Sequence, residues 1–345
     1  MIPTGELPCF TAAAVQKAPA FLNAMATAEI AASSIREAAA GGAKLVVFPE
    51  VFIPGYPYWS WISDPVTGSP WFEKLVKASI LIPGPEIARV CEAAAAHKVH
   101  VVIGVNERSP VSLGTLYNTL VFIGSDGAII GKHRKLVPTW AEKMTWAGGD
   151  GSSLKVYDTE LGPLGGLACG ENTNTLARFA LLAQGELIHA ASYISLPVAP
   201  PDYDMAEAIR LRASAHSFEG KVFTIVATST ISEEIITAME TVNPNARQML
   251  ERKSSAFSGI IGPDGRVVGS PLIDEEGIVY GEIDLNRCIQ PKQMHDIIGH
   301  YNRFDIFRLE VNQAPQSAIF FPGLADRSEP ADAGEDAPRP DATSF

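Results

Sequence analysis

Apolar positions along this chain switch repeatedly between a helical and a strand period. Residues 23 to 40 carry Ala28, Ala31, Ala32, Ile35, Ala38 and Ala39 at helical spacing, and Gly41-Gly42 closes that stretch. The run Leu45-Val46-Val47-Phe48 then reads as a buried strand that Pro49 ends. Residues 85 to 97 predict a second helix, and Val99 to Val105 a strand. Leu116 to Ile123 and Ala128 to Lys135 predict a hairpin around Ser125-Asp126-Gly127. Leu164 to Cys169 follows as a strand, residues 174 to 184 as a helix, and Leu187 to Ala191 as a short strand. Residues 204 to 219 predict a helix and Val222 to Thr228 a strand. Ser258 to Ile261 and Arg266 to Val268 flank Pro263-Asp264-Gly265 as a second hairpin, and Gly277 to Ile283 is a further apolar strand. Alternating strands and helices place the chain in the α/β class. Both halves run helix, strand, helix, strand, hairpin, without a repeated sequence. Two packed sheets with helices outside satisfy this pattern, and so does one doubly wound sheet.

Composition narrows the function classes. With 345 residues, 46% of them hydrophobic, the chain can bury a large core, and residues 1 to 313 are expected to form one domain. Residues 314 to 345 form an extension. From about residue 326 it mixes Pro330, Pro338 and Pro340 with Asp, Glu, Ala and Gly, a composition expected to stay disordered. The word Ala318-Ile319-Phe320-Phe321 before it is apolar enough to dock on the body or on a neighbouring subunit. A net charge of −12 with no run of Lys and Arg argues against nucleic acid and anionic membranes as partners. No apolar stretch is long enough to span a bilayer, and the N-terminus lacks the layout of a signal peptide. The four cysteines lie far apart, without the spacing of a zinc site. A cytoplasmic protein with reduced thiols is expected. The seven histidines show no metal-ligand spacing, and His97 and His100 read as surface or packing residues.

Three strand ends carry candidate chemistry. Cys169 follows the apolar run from Gly162 to Ala168 and precedes Gly170-Glu171-Asn172 and a helix. A thiol there would project from a sheet and feel the positive end of the helix dipole; alternatively it is a small buried hydrophobe. Glu50 ends the strand before it, as a general base or as a surface turn residue. Lys135 ends Gly131-Lys132-His133-Arg134-Lys135, as a charge for the site or as a solvated guard of an edge strand.

Glu, Lys and Cys at strand ends in that order resemble the nitrilase superfamily of carbon–nitrogen hydrolases. The matching words are Phe48-Pro49-Glu50, Arg134-Lys135 with Pro138 following, and Cys169-Gly170-Glu171-Asn172. Pro54-Gly55-Tyr56-Pro57-Tyr58-Trp59, Glu142-Lys143-Met144-Thr145-Trp146 with Gly148-Gly149-Asp150, and Gly299-His300-Tyr301-Asn302-Arg303 point to its nitrilase branch. The resemblance covers about residues 10 to 313. It implies a four-layer α-β-β-α sandwich and a nitrile substrate attacked by Cys169, with water as the second reactant. It assigns Glu50 as base, Lys135 and the Gly170 N–H as stabilisers of developing charge, and Glu142 as the group that holds Lys135 and orients substrate. It implies no cofactor, and homodimers stacking into larger or spiral oligomers, with residues 174 to 184 and 204 to 219 as contacts. Tyr56, Trp59, Trp146 and Tyr193 are candidate walls of an apolar substrate pocket, alongside Tyr58 and Trp61; core packing is the alternative for each. Family members often carry tryptophan after the cysteine. Gly170 in its place either opens space or lets backbone approach, which points to aliphatic or arylacetonitrile substrates over benzonitriles. An amidase or carbamoylase of the same superfamily, a cyanide-degrading enzyme and an inactive scaffold remain alternatives at this stage.

Overall fold

A computed structural model describes residues 5–200, 202–317 and 319. The tail from 326 lies outside the described residues, as do Ala318, Phe320 and Phe321 of the apolar word before it. The first half runs β1 (Cys9–Gln16), α1 (Ala24–Ala40), β2 (Ala43–Val47), α2 (Trp59–Ile62), α3 (Pro65–Ala78), α4 (Pro85–His97), β3 (His100–Arg108), β4 (Leu116–Ile123) and β5 (Ile129–Arg134). The second runs β6 (Leu164–Ala168), α5 (Thr175–Leu182), β7 (Ile188–Tyr193), α6 (Met205–Gly220), β8 (Phe223–Thr228), α7 (Glu233–Glu240), α8 (Ala246–Leu250), β9 (Phe257–Ile261) and β10 (Val267–Ile273). β11 (Gly277–Asp284) and α9 (Ile289–Met294) follow.

The strands form two mixed sheets, ordered β11-β1-β2-β3-β4-β5 and β10-β9-β8-β7-β6. Within the first, β1, β2 and β3 are parallel and β4 and β5 return as an antiparallel hairpin. The second repeats this with β6, β7 and β8 parallel, then β9 and β10 antiparallel. The half-to-half similarity expected from the element order is therefore a duplication of topology. β11 closes the outer edge of β1, pairing antiparallel from Cys9 with Asp284 to Gln16 with Gly277.

Strand alternation explains the layers. Ala12, Ala14, Leu45, Val47 and Val102 face one way and meet Ala190, Phe223, Ile225 and Ala227 of the other sheet. Their neighbours Ala13, Val15, Val46 and Val101 face the other way, under Ala28, Ile35, Val90 and Ala94 of α1 and α4. On the far side Ala191, Tyr193 and Val226 pack beneath Ile209 and Ala213 of α6. The result is the four-layer α-β-β-α sandwich, with an alanine-rich seam between the sheets. α5 and α6 turn Leu176, Leu211 and Phe218 toward solvent. None of the described helices is long and apolar enough to cross a membrane.

β1 escaped the periodicity, because Ala12-Ala13-Ala14 carries little strand preference and is buried on both faces. α3 was missed for a different reason. Asp64 caps it and Pro65 opens it, but Gly68 and Pro70 interrupt it, and Gly68 and Leu75 are its buried residues.

The segment after β2 crosses between the sheets. Phe48 N–H donates to Val102 O at 2.8 Å, Gly104 N–H to Pro49 O at 3.1 Å, and Glu50 N–H to Tyr193 O at 3.2 Å. The Ser192 hydroxyl donates to Phe48 O at 2.8 Å. Gly104 permits this approach: a Cβ there would lie 2.7 Å from Glu50 Cα and against the Pro49 carbonyl and Val51 N–H. Gly104→Ala is expected to destabilise the fold by about 1–3 kcal/mol through overpacking against backbone. Urea unfolding checks this, and an unchanged midpoint would show that the Pro49–Val51 segment yields freely.

Candidate active site

Glu50 is 1% exposed, which removes the surface-turn reading. Its Oε1 accepts from Asn118 Nδ2 at 2.6 Å and from Lys135 Nζ at 2.7 Å. Its Oε2 is buried and makes no hydrogen bond to any described residue. Lys135 follows β5 directly, and its backbone N–H donates to Asn118 O at 2.8 Å. β5 is an edge strand, yet Lys135 is 1% exposed and so does not guard that edge. Its ammonium also donates to Glu142 Oε2 at 2.7 Å. Glu142 sits in the 3₁₀ turn Trp140–Met144. The same Oε2 accepts from Thr139 N–H at 2.7 Å, and Oε1 accepts from Tyr56 hydroxyl at 2.9 Å. One ammonium thus joins two buried carboxylates from separate segments.

Cys169 begins the 3₁₀ turn Cys169–Thr173 at the end of β6, with φ 49° in the left-handed region. It is nearly buried. The expected helix-dipole contact is corrected by the caps. α5 starts only at Thr175, and its first free N–H groups, on Leu176 and Ala177, are taken by the Asn174 side chain. Burial, then the Glu50 carboxylate, push the Cys169 thiol well above its ordinary range, with Lys135 opposing. The sulfur is therefore held as a thiol. Burial likewise raises Glu50 to about 7 against the pull of Lys135, with Glu142 adding to the rise. Burial works against the Lys135 charge, but Glu142 and Glu50 hold its ammonium well above the ordinary lysine range.

Glu171 staples the two strand ends together. Its carboxylate accepts from Leu136 N–H at 2.7 Å, from Ala168 N–H at 3.0 Å and from His133 Nε2 at 3.1 Å. The residue after Lys135 is thus tied to the residue before Cys169. Burial would raise the Glu171 carboxyl, yet the His133 charge and these hydrogen bonds hold it below the usual range.

The candidate pocket residues divide. Tyr56 bonds Glu142 directly, and its ring meets Trp146 edge-on at 5.6 Å. Trp146 is fixed by donation from Nε1 to Asn106 Oδ1 at 3.0 Å. Tyr193 is fully buried beside Cys169, with a hydroxyl that has no partner among the described residues. Tyr58 donates to Ser195 O at 2.9 Å, and Trp61 Nε1 to the Tyr56 hydroxyl at 2.8 Å. Trp59 instead stacks on Trp71 at 5.7 Å and meets Phe21 at 6.4 Å, which places it in aromatic packing. At Gly170 a Cβ would stand 2.7 Å from Thr139 Oγ1. Of the two readings of that glycine, close approach is the one realised: the turn bearing Glu142 leans onto the turn bearing Cys169.

Sequence reasoning missed Asn118, which bridges Glu50 and the Lys135 backbone from the middle of β4. An asparagine inside an apolar strand was the available signal. It also missed a convergence of histidines. His189 and His216 meet at Glu186, all buried, with ligand-type atoms within 4.8 Å of one another. Sequence spacing hid this group, because β7 and α6 bring the rings together only on folding.

Residues 11–293 match the family described as carbon-nitrogen hydrolase. An aliphatic nitrilase of Rhodococcus rhodochrous is 37% identical over 88% of this chain and 83% of its own length. A nitrilase of Paraburkholderia phymatum is 36% identical over 89% of this chain and 88% of its own. The fold is similar to the crystal structure of Saccharomyces cerevisiae Nit3, a member of branch 10 of the nitrilase superfamily. The TM-score is 0.65 and the identity 21%, over 83% of this chain and 93% of that one.

Lys135→Met leaves two carboxylates buried without their cation. A loss of about 3–5 kcal/mol in unfolding free energy is expected at pH 8. Burial would then raise the Glu50 carboxyl with no cation to oppose it, so that acid binds its proton more tightly folded than unfolded and acidification should return part of the loss. Urea unfolding at pH 5 and pH 8 tests this; equal losses at both would mean that unpaired charge is not the cause.

Proposed function

The chain belongs to the carbon–nitrogen hydrolase family as a nitrilase-type enzyme, and from that premise we propose that it hydrolyses an organic nitrile with Cys169 as nucleophile. Glu50 Oε2 carries this reading: it is a buried oxygen with no partner among the described residues, on a carboxyl whose other oxygen is held by Asn118 and Lys135. Such an atom is free to take a proton, and the thiol beside it needs one removed.

Oε2 accepts the Cys169 proton as sulfur attacks the nitrile carbon. The C≡N bond becomes C=N, the nitrogen takes up a proton, and a thioimidate results. Lys135, charged and buried, stabilises the negative charge building on nitrogen and later on oxygen, a task the Gly170 N–H shares in this reading. Glu50 then deprotonates a water that adds to the thioimidate carbon. The tetrahedral species expels ammonia and leaves a thioester. A second water, activated in the same way, cleaves the C–S bond, releases the carboxylic acid and restores the thiol. Two waters enter for each acid and ammonia released. Glu142 keeps the ammonium in place and Tyr56 keeps Glu142 in place, so neither carboxylate swings away as Glu50 gains and loses its proton. Residues 1–313 act as one catalytic domain in this reading, since both sheets supply the groups.

Substrates with a saturated carbon beside the nitrile fit this site best. Tyr56, Trp146 and Tyr193 wall the Glu142–Cys169 region, and Thr139 occupies the space beside Gly170. A bend at that carbon lets the rest of the substrate leave the crowded centre. The name of the Rhodococcus relative, an aliphatic nitrilase, supports the same preference.

Cys169→Ala should remove turnover while preserving the fold, and Glu50→Gln should lower kcat by about 10²–10⁴-fold. Wild-type activity should rise with pH through about 7, as Glu50 gives up its proton. Nitrile turnover retained by Cys169→Ala, or a rate independent of pH between 6 and 8, would overturn the roles given.

In a substrate panel read by ammonia release, phenylacetonitrile and aliphatic dinitriles should outpace benzonitrile. Faster benzonitrile turnover would sink the substrate preference. Faster turnover of the matching amides, or of cyanide, would replace nitrile hydrolysis as the reaction.

A further inference from the structure

A second buried polar chain reaches the Cys169 turn from the side away from Lys135. Asn172 Nδ2 donates to Cys169 O at 3.1 Å and to Leu167 O at 3.2 Å. Those two carbonyls bracket the residues where the backbone leaves the strand and enters its left-handed conformation. Because the amide nitrogen faces two carbonyls, its oxygen faces the other way, 2.8 Å from His189 Nε2. His189 Nδ1 lies 2.7 Å from Glu186 Oε1, and His216 Nε2 lies 2.9 Å from Glu186 Oε2. Glu186, His189 and His216 are at most 1% exposed. Room for the Glu186 carboxylate comes from Gly165 on β6, where a Cβ would collide with Oε1.

The proton inventory follows from these partners. His189 stands between two acceptors, Asn172 Oδ1 and Glu186 Oε1. Its Nε2 must donate to the amide oxygen, and the short contact at Nδ1 needs one more proton. A proton held between Nδ1 and Oε1 satisfies the second contact. Burial would raise the Glu186 carboxyl, but the His189 charge and the hydrogen bonds from both rings hold it down to about 2. His216 needs only one N–H, toward Oε2, and its Nδ1 has no partner among the described residues. Burial and the His189 charge lower it to about 4, so it is neutral near pH 7. The other charge acting on this group is Arg178 of α5, which is paired with Glu219 at 3.0 Å. The closeness of three ligand-type atoms is thus explained by hydrogen bonds through one carboxylate. α6 also holds the far end of the turn, through Arg212 Nε donating to Thr173 Oγ1 at 2.8 Å.

We propose that Glu186 and His189 are positioning residues that fix the Asn172 amide and, through it, hold the Cys169 turn in its reactive conformation. The proposal rests on Cys169 being the nucleophile. It assigns the group no contact with substrate. Without the relay the Asn172 amide loses its orientation, the Cys169 carbonyl loses its donor, and the sulfur shifts relative to Glu50 Oε2. Small misplacements of that kind cost rate with little effect on substrate affinity.

Glu186→Gln, Glu186→Ala and Asn172→Asp separate positioning from plain stability. In Glu186→Gln the new amide can donate to His189 Nδ1 and still accept from His216, so the relay survives. Glu186→Ala breaks it. Asn172→Asp keeps the His189 bond and removes the donor to Cys169 O. Each is measured for kcat and KM on a nitrile that the wild type turns over, for melting temperature, and for the rate of Cys169 alkylation by iodoacetamide, read by peptide mass spectrometry. Glu186→Ala and Asn172→Asp should lose on the order of 10²-fold in kcat, with a parallel fall in alkylation rate and KM nearly unchanged. Glu186→Gln should stay within about threefold of wild type in both rates. A Gln variant as impaired as the Ala variant would overturn the proposal. So would an Ala or Asp variant that loses melting temperature but keeps both rates. If the wild type hydrolyses no nitrile, the nitrilase reading fails by itself, and the alkylation rates still decide whether the relay orders the thiol.

Discussion

Everything chemical in this molecule depends on keeping one ammonium ion dry. Lys135 sits at the end of an edge strand, where lysines ordinarily meet solvent, yet it is closed in between Glu50 and Glu142. An isolated charge so placed would cost several kcal/mol in lost hydration. Two carboxylates, each with further donors, compensate that cost. The same arrangement gives the acids distinct characters. Glu142 is saturated by Lys135, Thr139 and Tyr56 and stays fixed. Glu50 keeps one oxygen unengaged and a proton affinity near neutrality. In the proposed reaction the fully bonded acid supports the cation while the acid with the open oxygen transfers the proton.

The thiol belongs to the same balance. Among reactive cysteines, one strategy lowers the thiol's proton affinity with a neighbouring cation or helix end. Here burial and the Glu50 charge win over Lys135, so the sulfur keeps its proton until a reaction draws it off. That choice suits a site with a base already beside it, and it limits reaction with passing oxidants and electrophiles. In the proposed reaction the strand-to-turn geometry at Cys169 supplies position, and the carboxylate supplies activation.

Much of this was legible in the chain, for identifiable reasons. β-branched strands such as Leu45-Val46-Val47 and Val101-Val102-Ile103, and the alanine-faced α1, declare themselves because pattern and propensity agree. Glu50, Lys135 and Cys169 stood out because each interrupts an apolar strand at its end, where a polar residue needs a reason. β1 was not found, since three alanines become a strand only through partners on both faces. Asn118, Glu171 and the pair His189–His216 carry the orientation of the site, and their partners are distant in sequence. Nothing local distinguishes them from ordinary polar residues. Trp59 shows the opposite error: it belongs to an aromatic word beside the site but spends its ring on Trp71.

The sheet-to-sheet seam has a consequence of its own. The cation and both acids hang from one sheet and the sulfur from the other, so the reach between them is set by the thickness of the hydrocarbon layer in the middle. Ala12, Ala14, Ala190 and Ala227 line part of that layer, and Leu45, Phe122, Phe223 and Ile225 fill the rest. A larger side chain at one of these alanines would strain the packing between the sheets and shift the groups they carry. Reactivity in this architecture can therefore be tuned from positions that no reactant ever meets.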